Sequence, residues 1–354
     1  MAVERYKFPR SISAALWVDF ASTFEDVATC QYKRVSDTCI EGYVQAKNVC
    51  GHGRYKLYFS LNTDQPFQLE EQKETTACLT FGKKVRAVEV RIGLSALSSE
   101  LASWECARWE KMNFAELKSQ TGNQWEKQLS AIDVKGGKKD DKVIFYTSLY
   151  RAYLSPADVS SPDGAYLGTD GKVYISEDFR YYSNWSLWDT FRTKFPLLVL
   201  TEPARMRDMA TSLIHLYATG KKDWSTGFES TPTVRTEHAV ILLLDAYRKG
   251  ITTLDFRKGY AGMKEEMERL PMRSPDQKME SAYDLWAMAQ IAGIIGEKAD
   301  SEQYRQRSVS LFEETWKKEF MNVTPAFEVM KNNGLYQGCL LYTSDAADDS
   351  LRVD

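Results

Sequence analysis

The feature that most constrains this fold is a change of hydrophobic period near residue 95. Upstream, Tyr55, Leu57, Phe59 and Leu61 alternate with Arg54, Lys56, Tyr58 and Ser60. Val88, Val90, Ile92 and Leu94 alternate in the same way with Glu89, Arg91 and Gly93. Period two with polar partners predicts strands that bury one face. Turn-rich pieces such as Asn48-Val49-Cys50-Gly51-His52-Gly53 separate them. Residues 1–95 therefore read as a sheet or sandwich.

Beyond that point the period becomes helical. Leu101, Trp104, Ala107 and Arg108 fall on one face, followed by Phe114, Leu117 and Trp125, which predicts a helical linker over 96–135. From Val143 to Leu154 the chain is apolar and aromatic, and it breaks before Pro156. Thr201-Glu202-Pro203 opens a helix that carries Met206, Met209, Ala210, Leu213, Ile214 and Tyr217 and stops at Gly220. Ala239 to Tyr247 is almost wholly apolar and ends at Gly250, and Ala282 to Ile295 ends at Gly296; both predict buried helices. Tyr304, Ser308, Leu311, Phe312, Thr315 and Trp316 make a further amphipathic face. This spacing suits stacked helical hairpins, about half of a twelve-helix toroid. In such toroids the loops at one end carry the ligand site.

Bulk properties exclude several classes. With 43% hydrophobic and 27% charged residues the composition is that of a globular protein. A net charge of -3 without long basic runs gives no nucleic-acid footprint. No run of about 18 apolar residues predicts a membrane span, and Met1 to Arg10 lacks the pattern of a signal peptide. The six cysteines show no C-x-x-C spacing, so neither a zinc site nor a dense disulfide framework is expected. Cys30, Cys39 and Cys50 lie close enough for a disulfide in an exported protein, with free thiols as the alternative. Three histidines are too few to suggest a His-built metal centre.

One run carries chemistry: Ser186-Leu187-Trp188-Asp189-Thr190-Phe191-Arg192, followed by Phe195-Pro196-Leu197-Leu198. An aromatic face, a carboxylate and a guanidinium at near-adjacent positions suit a sugar, whose ring stacks on the aromatic and whose hydroxyls bond the charged groups. A buried Trp with a helix-capping Asp is the plainer alternative. The 12% aromatic content, with 9 Trp and 19 Tyr, fits either a flat ligand or a large aromatic core.

The end of the sequence is of another kind. Residues 339–354 read as one frame of a common sequencing adapter, so native sequence is expected to stop near Gly338. Resequencing the source DNA past the Gly338 codon tests this: a different coding continuation confirms it, and the same tail in an independent clone refutes it. Without that tail, Lys+Arg and Asp+Glu balance at 45 each, and the mild acidity carries no message.

Taken together, the motifs resemble glycoside hydrolase family 92, the calcium-dependent exo-acting α-mannosidases. The matching pieces are Val143 to Tyr150, Asp163-Gly164-Ala165-Tyr166, Thr169-Asp170-Gly171-Lys172-Val173, Tyr181-Tyr182-Ser183-Asn184-Trp185, the Ser186–Arg192 run and Glu202-Pro203-Ala204-Arg205. They continue with His238-Ala239, Asp245 to Gly250, Glu280-Ser281-Ala282-Tyr283-Asp284-Leu285-Trp286-Ala287 and Arg307-Ser308. Arg5 to Pro9 and Lys56 to Phe59 look like the family's N-terminal β-domain.

The resemblance implies a multidomain β and α protein: a partial N-terminal β-sandwich (1–95), a helical linker (96–135) and an incomplete (α/α)6 toroid (136–338). The chain is then expected to be truncated at both ends. The implied substrate is an α-mannoside of N-glycans or mannan, and the implied location of the parent protein is periplasmic or secreted. Members invert at the anomeric carbon. Inversion needs two carboxyl groups roughly 6.5–9.5 Å apart with water between base and sugar. The acid must sit where it keeps a proton near neutral pH.

By the same resemblance the candidate acid is Glu229, in the loop Trp224 to Pro232, with Glu237 as the rival. The loop departs from the family pattern, so its register is open by a residue. Glu229 has the alternative of a solvated loop acid, and Glu237 that of a first-turn carboxylate favoured by the helix dipole. Trp188 and Asp189 are implied to contact the cleaved sugar, and Arg192 to orient Asp189 or touch the sugar. Glu280 is the implied calcium ligand, with a helix-start carboxylate as its alternative. Leu285 stands where the family commonly has a second Asp. The Gly-Asn-Glu-Pro-type segment that carries the family's base is not found, so this polypeptide by itself is expected to be inactive. Trehalase-like or glucoamylase-like toroids, and a glycan-binding relative without catalysis, are the competing readings.

Overall fold

The computed structural model describes residues 1–23, 26–47, 53–70, 73–223 and 235–320, with Phe320 by its backbone alone. The chain divides into two compact units, Met1–Trp185 with Lys222–Arg235, and Ser186–Lys221 with Thr236 onward.

The first unit opens with eight strands. They are β1 (Ala2–Lys7), β2 (Ala15–Asp19), β3 (Val27–Ser36), β4 (Cys39–Lys47), β5 (Arg54–Thr63), β6 (Phe67–Glu70), β7 (Thr76–Phe81) and β8 (Ala87–Ser95). They form a five-stranded sheet in the order β1-β8-β5-β4-β3 and a three-stranded sheet in the order β2-β7-β6. Every pairing is antiparallel. Ile40, Phe59, Leu61, Val88 and Val90 from the larger sheet meet Phe67, Leu79 and Phe81 from the smaller one in a single apolar cluster. Alternation predicts this face, because residues two apart on a strand point the same way.

The opposite face of the larger sheet is not simply solvated. Helix α1 (Ser99–Ala107) lies on it. Ser60, polar and 0% exposed, is buried there. A Cβ built on Gly93 would sit 1.8 Å from the Ala102 carbonyl oxygen, so only glycine lets the helix dock at this strand. The segment read as a linker thus begins with a helix packed onto the sheet. Helix α2 (Phe114–Leu129) follows with a full capping box, in which the Asn113 side chain accepts from the Glu116 N–H and Glu116 accepts from the Asn113 N–H.

Helix α3 (Lys139–Leu154) ends before a cis Ser155–Pro156 peptide. Four short strands, β9 (Ala157–Asp158), β10 (Ala165–Leu167), β11 (Val173–Ile175) and β12 (Tyr182–Ser183), then form two antiparallel pairs, β10 with β11 and β9 with β12. Tyr166 stacks on Tyr181 at 4.0 Å between centroids and holds this region together. Cys30, Cys39 and Cys106 are free thiols, whereas Cys50 lies outside the described residues.

The second unit is helical: α4 (Lys194–Thr201), α5 (Pro203–Thr219), α6 (Ala239–Arg248), α7 (Phe256–Met267), α8 (Pro275–Ile295) and α9 (Lys298–Thr315), the last running into a π-helical turn, Trp316–Phe320. Helix α5 starts on Pro203 and stops at left-handed Gly220, as its terminal signals require. Helix α6 is buried from Ala239 to Leu244 and packs against α4, α5 and α8. Helices α5 and α7 cross closely: a Cβ on Gly262 would lie 2.3 Å from the Tyr217 carbonyl oxygen. Buried Lys221 pairs with Glu266 of α7, which also accepts from the Tyr217 hydroxyl. Helix α9 is tied to α8 by Ser308 and Ser301 hydroxyls that donate to the Ala282 and Ala289 carbonyls at 2.6 and 2.8 Å. Among the described residues no helix is long and apolar enough to cross a membrane.

Candidate active site

Within the second unit, α4, α6 and α8 bring their N-terminal ends together, and the residues of interest sit there. Helix α8 begins at Pro275, seven residues before the apolar run that marks it in the sequence. Glu280 therefore lies in its second turn and not at a helix start. Glu280 and Asp284 are four apart, so they share one face of α8.

That face meets the Ser186–Arg192 run. Trp188 Nε1 donates to Glu280 Oε2 at 3.3 Å, and Arg192 Nη2 donates to Glu280 Oε1 at 3.0 Å. Arg192 Nη1 donates to the Trp188 carbonyl at 2.7 Å and closes a ring of three bonds. The guanidinium carbon lies 4.4 Å from the Phe191 ring centroid, a cation–π distance. Trp188 itself is 6% exposed. Its indole is thus braced from within, while Asp189 and Arg192 are exposed beside it. Arg192 does not hold Asp189; the Ser186 hydroxyl lies 3.4 Å from the Asp189 carboxylate.

The second half of the cluster is centred on His238. It precedes α6 with a left-handed backbone, φ 66°, and gives the helix no side-chain cap. Left-handed backbone in a non-glycine residue persists only where surroundings impose it. Here the ring is turned to α8: Nδ1 lies 3.0 Å from Asp284 Oδ1, and Nε2 lies 3.8 Å from Glu280 Oε2. The Phe191 ring packs on it at 4.6 Å. Burial pushes the imidazole pKa down, but the charge and hydrogen bond of Asp284, then the charges of Glu280 and Glu237, outweigh it and hold the ring protonated above its ordinary range. A cation at a helix N-terminus opposes the helix dipole, so these carboxylates are what make it tolerable.

Lys194, the first residue of α4, is perturbed the other way. Burial pushes its ammonium down to about 8, with Asp189 opposing and Arg205 assisting.

The structure thus joins Trp188, Arg192, Glu280 and Glu237 in one cluster and leaves Asp189 at its exposed edge. Glu229 lies outside the described residues. His238 and Asp284 are central here, although the sequence motifs gave them no role. The signal that finds them is the Glu280/Asp284 spacing of four on one helix, opposite one of only three histidines. Leu285 is buried at 1% exposure, so its place on α8 is apolar packing.

Calcium takes six to eight oxygen ligands. Around Glu280 the neighbours are an indole N–H, a guanidinium and an imidazolium, all of positive character. Among the described residues no three His, Cys, Asp or Glu side chains are arranged to hold an ion. The residues around Glu280 do not fit a calcium cage.

Residues 102–278 match the model of the glycosyl hydrolase family 92 catalytic domain. Among solved structures, the chain is similar to the family GH92 alpha-mannosidase BT3965 from Bacteroides thetaiotaomicron, with a TM-score of 0.76 and 25% identity over 87% of this chain and 47% of that one. That enzyme is also known in complex with mannoimidazole. The GH92 family glycosyl hydrolase CcMan5 gives 0.74 and 25% over 86% and 45%. The inverting mannosidase BT2199, also from Bacteroides thetaiotaomicron, shares the fold, with a TM-score of 0.72 and 21% identity over 88% and 48%. The antiparallel sheet region followed by helices matches these relatives, so the chain has the β-sandwich plus (α/α)6 fold class, and it spans about half of their length. Curated protein sequences give no match. The family-model match covers half of the sequence, and the chain belongs to glycosyl hydrolase family 92.

Proposed function

We propose that the protein of which this chain forms part is an inverting exo-α-mannosidase acting on α-mannosides of N-glycans or mannan. The observation that carries this is the joining, in a family 92 chain, of the Ser186–Arg192 run to Glu280 and His238, with Asp189 and Arg192 left exposed. A carboxylate and a guanidinium on a rigid rim suit the hydroxyls of a terminal sugar.

Glu229 is the proposed acid, with Glu237 as the rival. Calcium belongs to the same proposal, with ligands other than Glu280. So does export to the periplasm or medium.

The test uses the complete protein and an aryl α-mannoside, with product followed by NMR. Initial release of β-mannose, its loss in Glu229→Gln, and sensitivity to EDTA reversed by calcium are the expected results. Initial α-mannose refutes inversion, and hydrolysis of an aryl α-glucoside in place of the aryl α-mannoside refutes the substrate. Mannose binding without turnover identifies a non-catalytic relative. The 354-residue chain alone is expected to release no mannose above an empty-vector control.

A further inference from the structure

We infer that Glu280 is a positioning residue and not a metal ligand: its carboxylate clips the Trp188–Arg192 turn onto α8. Each oxygen already has a donor, Oε1 the Arg192 guanidinium at 3.0 Å and Oε2 the Trp188 indole at 3.3 Å. The Arg192 bond to the Trp188 carbonyl at 2.7 Å closes the ring, so both ends of the turn are held by the same two side chains. A planar guanidinium that donates from two nitrogens to two fixed acceptors sets direction as well as distance. Two further contacts hold the clip in place. His238 lies 3.8 Å from the carboxylate and is anchored by Asp284 one helical turn along α8. Phe191, under the guanidinium at 4.4 Å, packs on the same His238 ring.

The chemistry separates this role from metal binding. A divalent cation at Glu280 would have to displace the Arg192 guanidinium from one oxygen and the Trp188 indole N–H from the other, and remain beside that guanidinium at a cost in repulsion that one carboxylate does not offset. Trp188 shows what the clip achieves. Here the Trp188 N–H is pinned, and its ring, with the Arg192 guanidinium 5.6 Å over it, is set as a fixed wall. The relevance of that wall to a sugar rests on the glycosidase reading; the clip itself does not.

The experiment therefore reads the clip without sugar. In the 15N-labelled chain the Trp188 indole N–H resonance is identified by its loss in Trp188→Phe. Glu280→Gln, which keeps an acceptor but loses the charge, is expected to move that resonance upfield and speed its exchange with solvent. Arg192→Lys, which leaves Glu280 in place and removes the fork, is expected to move it in the same direction, and it serves where Glu280→Gln does not fold. Calcium titration is expected to leave the resonance where it is. A calcium-dependent shift in the unmodified chain that vanishes in Glu280→Gln identifies a metal ligand and overturns the inference. A resonance unmoved by either substitution overturns it as well. In the complete protein, Glu280→Gln is expected to lower kcat on the order of 100-fold, as misplaced binding groups do, without restoration by added calcium. An intact clip in a complete protein without glycosidase activity refutes the function and leaves the clip standing.

Discussion

Asp284→Asn tests the charge state at the centre of the cluster. The substitution keeps the shape of the side chain and removes its charge. In the unmodified protein burial disfavours the His238 proton, and Asp284 is the main force that restores it, assisted by Glu280 and Glu237. The folded pKa thus lies above the unfolded value of about 6.5. A raised pKa means that the proton adds stability, complete below about pH 6.5 and lost as the pH climbs through the folded value. Without Asp284, burial is opposed only by Glu280, 3.8 Å away, and by Glu237. The folded pKa drops, and the variant loses stability where the unfolded ring takes a proton that the folded ring refuses.

The size follows from the same geometry. Removing one partner of a buried pair costs about 3–5 kcal/mol when the other charge is left uncompensated. Two carboxylates remain nearby, so the lower end, about 3 kcal/mol, applies near pH 5.5. Above the raised folded pKa the ring is neutral and keeps a neutral hydrogen bond to the amide, which leaves a loss of about 1 kcal/mol. Urea unfolding of both proteins across a pH series from about 5.5 upward, followed by circular dichroism, measures the difference. A loss that stays near about 1 kcal/mol at every pH shows that His238 is neutral throughout and refutes the imidazolium. A larger loss at the higher pH refutes the sign of the linkage.

Three further substitutions probe packing and burial. At the α5–α7 crossing, Gly262→Ala places a methyl group 2.3 Å from the Tyr217 carbonyl oxygen; the helices must part, and thermal unfolding should show a loss of about 1–3 kcal/mol. A built Cβ on Gly122 of α2 meets nothing within 4 Å, so Gly122→Ala should gain about 0.5–1 kcal/mol by the same assay, and a loss there contradicts the helix. Lys194→Met removes an ammonium pushed down from 10.5 to about 8. A lowered lysine pKa is a cost carried in full below the folded value and absent above the unfolded one, so the gain should be on the order of 1–3 kcal/mol near pH 7 and shrink toward pH 10; a pH-independent gain refutes the assignment.

Much of the fold is legible because the period changes once and the terminal signals are strong. Alternation in β5 and β8 marks the buried face, and Pro203 and Gly220 bracket α5. What period could not show was the second cover of the sheet. Ser60 and Gly93 look like solvent-facing positions, yet they are small because α1 lies on them. Helix α7 was hidden for a related reason. Its contact face is Phe256, Gly259, Met263 and Met267, and glycines at a crossing interrupt the apolar pattern that they make possible. The start of α8 was misplaced because its first turns, Pro275 to Glu280, are polar where they face the site. At the site, the Trp188–Arg192 run announced its own chemistry, but its partners are about ninety residues away in sequence, beyond the reach of any local pattern.

The cost of this arrangement points to its use. Two features that lower stability meet where α4 and α6 begin, a left-handed non-glycine backbone at His238 and a lysine held well below its ordinary range, and beside them lies a buried imidazolium that depends on the α8 carboxylates. Elsewhere in the second unit the rules are kept, with α6 apolar and buried from Ala239 to Leu244 and Lys221 paired with Glu266. Local rules broken together at one place, in a chain otherwise consistent, are the mark of a site under functional demand. A core built only to be stable would replace Asp284, His238 and Glu280 with apolar side chains of similar volume, often a neutral or favourable exchange. Keeping the charges holds Trp188 and Arg192 in one fixed direction, and a preorganised wall is what a sugar-binding site needs and a hydrophobic core does not.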